Sequence, residues 1–201
     1  MTPLPTHPRP RPDPAWPGLC AVLALGVAAA WFSGNRQLAW QASTWTHQPW
    51  LLWTASLAHL SGAHLLGNLL GLAVLAVLGS YLNAGTAAAL AVLLAWPLAT
   101  LALVWWPQVT AYSGMSGLLN AMAAVLWAHA ALRGGAKPVS FMIFALLGLK
   151  LASEHAWSQP IAFDPNWGFN VVYAAHLSGA LAGAACGLVF SAIAAARTRS
   201  G

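Results

Sequence analysis

Six stretches of the chain, near 16–33, 63–83, 86–106, 115–132, 139–157 and 171–196, are almost wholly apolar. Each has roughly the 20 residues that a helix needs to cross the hydrocarbon core of a bilayer. Backbone N–H and C=O groups find no water there, so only helices and closed barrels satisfy them, and no alternating strand pattern is present. Composition agrees, with 59% hydrophobic residues, 5% charged residues and 12 Trp in 201 residues. Such a chain has too little polar surface to cover a soluble core of this size. The expected fold is an all-α polytopic membrane protein with six transmembrane helices. Cys20 and Cys186 both lie inside apolar runs and read as small buried residues, not as a bridge or a metal pair.

A Pro-rich tail (1–15) precedes the membrane domain (16–196), and a short basic tail (197–201) follows it. The first tail is expected to be extended or disordered, and the first apolar run, which lacks a clean cleavage site, reads as a spanning helix and not as a removed signal. Cytoplasmic loops carry the excess of Lys and Arg. An inside N-terminus makes Arg9, Arg11, Arg133, Lys137, Arg197 and Arg199 cytoplasmic and leaves Arg36 outside. Both termini are then cytoplasmic, and 34–62 and 158–170 are outer segments. Trp31, Trp40, Trp45, Trp50, Trp53, Trp105, Trp106, Trp157 and Trp167 fall at or beyond the outer helix ends, where an interfacial belt is expected. The basic balance is thus a topology signal. The clustered patch of a nucleic-acid binder is absent, so the bilayer is the expected partner and nucleic acid is not.

A few polar groups interrupt the apolar runs, and such groups mark functional sites in membranes. His64 and Asn68 open the run at 63–83, Ser116 opens 115–132, and His176 lies in the first turns of 171–196. All three helices enter from the outer face, so these groups share one depth. A serine becomes a nucleophile when an imidazole takes its proton and donors await the oxyanion. Ser116 is the expected nucleophile, and His176 the general base and then the general acid. His64 and Asn68, four apart on one helical face, can donate to the oxyanion, as can unpaired backbone N–H groups at the start of the serine's helix.

The acids are Asp13, Glu154 and Asp164. None stands out as a third catalytic member, and a Ser-His dyad is expected. Glu154 follows Lys150 by four residues, which suits a structural ion pair, with contact of Glu154 or His155 to the site left open. Gly179, Gly183 and Gly187 form a small-residue stripe, and Gly114 and Gly117 flank the serine, so close approach of these two helices would bring Ser116 and His176 together. Ser61, Ser113 and Ser178 read as packing groups, and His129 and His155 as interfacial or interhelical hydrogen-bonders. Asn120 either neighbours the dyad or faces another helix, and His59 is a loop staple or a group gating water. No cofactor or metal is expected. A different class of function also suits buried histidines on neighbouring helices: haem ligation, or an ion or proton pathway.

The motifs "HLSGAHLLGN" (His59, His64, Asn68), "GMSG" (Gly114 to Gly117) and "AHLSGALAG" (His176, Gly179, Gly183), in this order, resemble those of the rhomboid family of intramembrane serine proteases. The likeness runs from about Trp50 to Phe190. It implies a rhomboid-like bundle in which Ser116 is the nucleophile, His176 its base, His64 and Asn68 oxyanion donors and His59 a structural residue of the outer loop, with Gly114, Gly117, Asn120, Gly179 and Gly183 supporting the site. Leu51 follows Trp50 where many rhomboids have Arg, and Asn120 stands where many have Tyr. "SGLLNAM", "LKLASEH" and "VVYAAHLSGALAG" look most like the rhombosortase branch. That resemblance implies a bacterial-type inner membrane with the active site facing outward, and membrane-anchored protein substrates with one transmembrane helix and a C-terminal sorting signal.

Overall fold

The computed structural model describes residues 13–34, 36–132 and 136–200. Residues 1–12 of the Pro-rich tail, Arg9 and Arg11 among them, and Arg133 lie outside the described residues. The chain is mostly helical: α1 Ala15–Ser33, α2 Leu51–Thr54, α3 Gly62–Tyr81, α4 Thr86–Leu101, α5 Ser116–Leu132, α6 Lys137–Glu154 and α7 Tyr173–Ser200. Among the described residues, four segments are long and apolar enough to cross a membrane: Ala15–Ser33, Gly62–Tyr81, Thr86–Trp105 and Tyr173–Arg197. The helix α5 is shorter at 17 residues, and α6 carries Lys137, Lys150 and Glu154.

Local chemistry sets the ends of these helices. Ser61 caps α3, its Oγ accepting the His64 N–H at 3.2 Å, which meets one of the orphan donors of the first turn. Gly34 closes α1 in the left-handed region at φ 63°. His155 takes the same region at φ 49° and stops α6 at Glu154, short of the expected 157. The last helix instead runs on to Ser200, past the expected end at 196. One carboxylate joins two helix starts: Asp13 accepts the Ala15 N–H at 2.9 Å, and the Thr86 N–H at 2.6 Å and hydroxyl at 2.8 Å. These bonds, the Ala15 backbone first, hold the Asp13 carboxyl below the usual carboxylate range.

The short strands were not legible in the sequence, because two or three residues show no period. β1 Trp40–Gln41 pairs antiparallel with β2 Ala111–Tyr112, and β3 Ala162–Asp164 with β4 Phe169–Val171. The first pair ties the segment after α1 to the approach to α5. The second is a hairpin whose turn is set by Asp164, which accepts the Asn166 N–H on its side chain and the Gly168 N–H on its carbonyl.

The centre of the bundle is α5, with Leu118, Met122, Val125 and Leu126 fully buried. It packs on α7, α4, α6 and α3. Outward faces carry Val22, Leu25, Leu70, Val74, Phe141 and Leu149 exposed, an apolar exterior suited to lipid. Between α5 and α7 the glycine stripe removes side chains from the seam. A Cβ on Gly179 would overlap the Gly117 carbonyl, and one on Gly183 would overlap the Ala121 backbone. A second apolar cluster, including Trp40, Leu51, Tyr112 and Ala174, lies beside the start of α5. Trp40 is therefore a correction to the expected belt: it is fully buried, whereas Trp105 and Trp157 are exposed. Pairing of β1 with Tyr112 on β2 draws its indole inward.

Candidate active site

A cavity of about 690 Å³ opens where α3, α5 and α7 begin, and His64, Asn68, Ser116, Lys150, Glu154 and His176 all line it. The polar residues that opened separate apolar runs thus share one end of the bundle. Ser116 is the first residue of α5, so N–H groups of the first turn are unpaired by the helix and its positive end faces the serine. Its Oγ lies 2.8 Å from His176 Nε2.

The strained turn before Ser116 explains the glycine there. Gly114 holds φ 118°, and a Cβ would come within 2.5 Å of the His64 ring. Its N–H donates to the Ala55 carbonyl at 2.9 Å, while Tyr112 Oη donates to its carbonyl at 2.6 Å and accepts the Gly117 N–H at 3.2 Å. Sequence reasoning passed over Tyr112. Its signal is a hydroxyl-bearing residue two places ahead of the Gly-Met-Ser-Gly turn. Burial pushes this phenol up to about 12, so it keeps its proton and its donor role.

Across the cavity, His64 Nδ1 and Asn68 Nδ2 are buried with no hydrogen-bond partner among the described residues. Unpaired buried donors at a polar cavity are costly unless something else engages them. The His64 ring is boxed in by His59 at 5.0 Å, Phe169 at 5.0 Å and Trp167 at 5.8 Å. Trp167 and Phe169 come from the β3–β4 hairpin, which the sequence reading treated only as outer loop; "DPNWG" is the turn signal that marks it. His59 donates through Nδ1 to the Leu57 carbonyl at 3.1 Å, a bond within its own loop. Burial holds its imidazole below the ordinary range, against the opposing pull of that bond.

Asn120 is buried beside the serine and donates to the Ser116 carbonyl at 2.7 Å. Gly117, Gly179 and Gly183 lie along the α5–α7 seam and let it close. His155 turns away, with Nδ1 against the Ser153 carbonyl, and His129 sits at the far end with Nε2 3.2 Å from the Leu82 carbonyl. Ser178 bonds the Ala99 carbonyl at 2.9 Å and fastens α7 to α4.

Of the two contacts that the sequence leaves open, it is Glu154 that reaches the site. Glu154 Oε2 lies 2.8 Å from His176 Nδ1, because the left-handed His155 ends α6 with its last turn beside the first turns of α7. Lys150 forms the expected ion pair, donating to Glu154 Oε1 at 2.7 Å, and its Nζ also stands 3.0 Å from His176 Nδ1. Both ring nitrogens of His176 are thus within bonding reach of protein groups, which leaves neither facing an open cofactor slot.

Hydroxyl, imidazole and carboxylate in line, beside idle donors, suit acyl transfer. The family model described as Rhomboid domain matches residues 46–193, well over half of the chain and inclusive of His64, Asn68, Ser116, Lys150, Glu154 and His176. No curated protein matches the chain.

Proposed function

Because the chain belongs to the rhomboid family, whose members are intramembrane serine proteases, we propose that it is a serine endopeptidase in which Ser116 attacks a peptide carbonyl and His176 handles the proton. The observation that carries this reading is the 2.8 Å approach of Ser116 Oγ to His176 Nε2 in a cavity with unpaired donors. As the Ser116 O–H bond breaks, Nε2 takes the proton and the serine oxygen bonds the carbonyl carbon. Charge on the carbonyl oxygen is met by Asn68, His64 and backbone N–H groups of the first turn of α5. His176 then protonates the leaving amine, and water admitted through the cavity releases the acyl group by the reverse sequence.

Six spanning helices with both termini cytoplasmic put this cavity toward the outer face of a bacterial-type inner membrane. The basic residues of the sequence support that orientation. The substrate is a membrane protein with one transmembrane helix, which unwinds as it leaves lipid, between α3 and α6, to present an extended segment. The likeness of "LKLASEH" and "VVYAAHLSGALAG" to the rhombosortase branch narrows the class to exported proteins with a C-terminal glycine-rich sorting signal and a basic tail.

A fluorophosphonate probe applied in membranes tests the reading. Wild type and Ser113→Ala are expected to label, and Ser116→Ala and His176→Ala are not. An unlabelled, folded wild type that shows a Soret band would move the assignment to a haem protein.

A further inference from the structure

Two groups of opposite charge compete for the nitrogen of His176 that faces away from Ser116. Glu154 Oε2 lies 2.8 Å from Nδ1 and Lys150 Nζ 3.0 Å from it. A neutral imidazole has one ring proton, so Nδ1 either donates to the carboxylate or accepts from the ammonium, not both. The alternatives have opposite consequences. With the proton on Nδ1, the Nε2 lone pair faces Ser116 Oγ and can take its proton. With Nδ1 accepting from lysine, Nε2 carries the proton and the ring cannot act as a base.

Burial and charge favour the first arrangement. The side chains of His176 and Glu154 are 6% and 15% exposed, and that of Lys150 is 42%. Lys150 can satisfy its ammonium on Glu154 Oε1 and on cavity water, whereas the less exposed Glu154 Oε2 has Nδ1 as its close partner. When His176 becomes imidazolium the preference grows, since the carboxylate attracts the new charge and the ammonium repels it. The groups facing His176 are Ser116 from α5, His64 from α3, Lys150 and Glu154 from α6, and the Tyr173 ring on its own helix. Only Glu154 among them carries negative charge.

We propose that Glu154 is a positioning residue for the proton transfer from Ser116: its Oε2 accepts the Nδ1–H bond that fixes the tautomer and faces the imidazolium, while Lys150 anchors the same carboxylate through Oε1. The inference rests on the assignment of Ser116 and His176 as nucleophile and base. The Ser116 proton goes to Nε2, the oxygen's electron pair goes to the substrate carbonyl carbon, and the Nδ1 proton stays on nitrogen.

The test uses Glu154→Gln and the double variant Lys150→Met/Glu154→Gln in lipid nanodiscs, with the second-order rate of fluorophosphonate labelling as readout. In the single variant Lys150 keeps the amide oxygen on itself and turns the NH₂ toward Nδ1, which must then accept and hold the wrong tautomer. Its labelling is expected to fall by roughly 10³ to 10⁴. In the double variant the amide can rotate and offer its oxygen to Nδ1, so labelling is expected to recover at least about tenfold over the single variant. A single variant within about threefold of wild type, or a double variant no faster than the single one, overturns the proposal. The wild-type protein supplies an independent arm should Glu154→Gln fail to fold. With ¹⁵N-labelled histidine, neutral His176 is expected to carry its proton on Nδ1, and a proton on Nε2 overturns the proposal. Absence of labelling in the wild type would count against the protease reading and leave the ¹⁵N result to decide the tautomer.

Discussion

Gly183 of α7 stands so close to Ala121 of α5 that a single added carbon would overlap the alanine backbone. Backbone cannot rotate aside as a side chain does, so Gly183→Ala must push the helices apart. The expected cost is about 1–3 kcal/mol of stability, as for overpacking elsewhere. Labelling of Ser116 is expected to fall with it, because the same seam sets the Ser116–His176 distance. Thermal unfolding in detergent, read beside labelling, checks both. Gly148→Ala is the control: nothing lies within 4 Å of that position, and neither readout should drop.

His64 and Asn68 present buried nitrogens that no described group engages. If the oxyanion engages them, His64→Ala and Asn68→Ala each lower kcat by on the order of 100-fold to 1000-fold with little change in KM. Steady-state cleavage of a single-helix reporter substrate measures the split. A rise in KM at constant kcat would place these residues in ground-state binding instead.

Tyr112→Phe removes one oxygen and strands two buried groups, the Gly117 N–H and the Gly114 carbonyl. A loss of about 1–3 kcal/mol is expected at neutral pH. The sign with pH follows from burial, which raises the folded phenol to about 12 from an unfolded value near ~10. Its stabilising contribution is complete below the unfolded value and is lost as pH climbs toward the folded one. Wild type and variant should therefore converge in thermal midpoint between these limits, while a gap that persists would remove the hydroxyl from the account.

Asp13→Ala should lower the thermal midpoint at neutral pH, since one carboxylate caps both α1 and α4. Hydrogen bonds depress its folded pKa, so the contribution is present above the unfolded value of about 3.9 and disappears as pH falls through the folded one. Melting curves of the two proteins, taken down an acid series, are expected to merge. Thr86→Val, which keeps the Ala15 bond, should show a smaller deficit.

Much of the architecture was legible because membrane helices announce themselves by length and apolarity, and the rarity of polar residues inside them singled out His64, Asn68, Ser116 and His176. Glycines four apart on α7 likewise mark the close seam with the helix of Ser116. What escaped was whatever depended on a turn. Glu154 pairs with Lys150 as its spacing suggests, but its contact with His176, 22 residues on, exists because His155 adopts a left-handed conformation and the intervening hairpin returns the chain. Trp167 reaches His64 by the same hairpin. The burial of Trp40 depends on a two-residue strand, too short to leave any period in the sequence.

The helices α6 and α7 differ in length, 18 residues against 28, or about 27 Å against about 42 Å of rise. A thicker bilayer can be met by the long helix through a smaller tilt, whereas the short one, with Lys137 at one end and Glu154 at the other, resists being drawn into hydrocarbon. The α5–α7 seam meets backbone to backbone at Gly179 and Gly183, whereas Glu154 reaches His176 through side chains alone. A change in bilayer thickness is therefore expected to shift Glu154 against His176 before it shifts Ser116, which labelling rates in vesicles of different chain length would read.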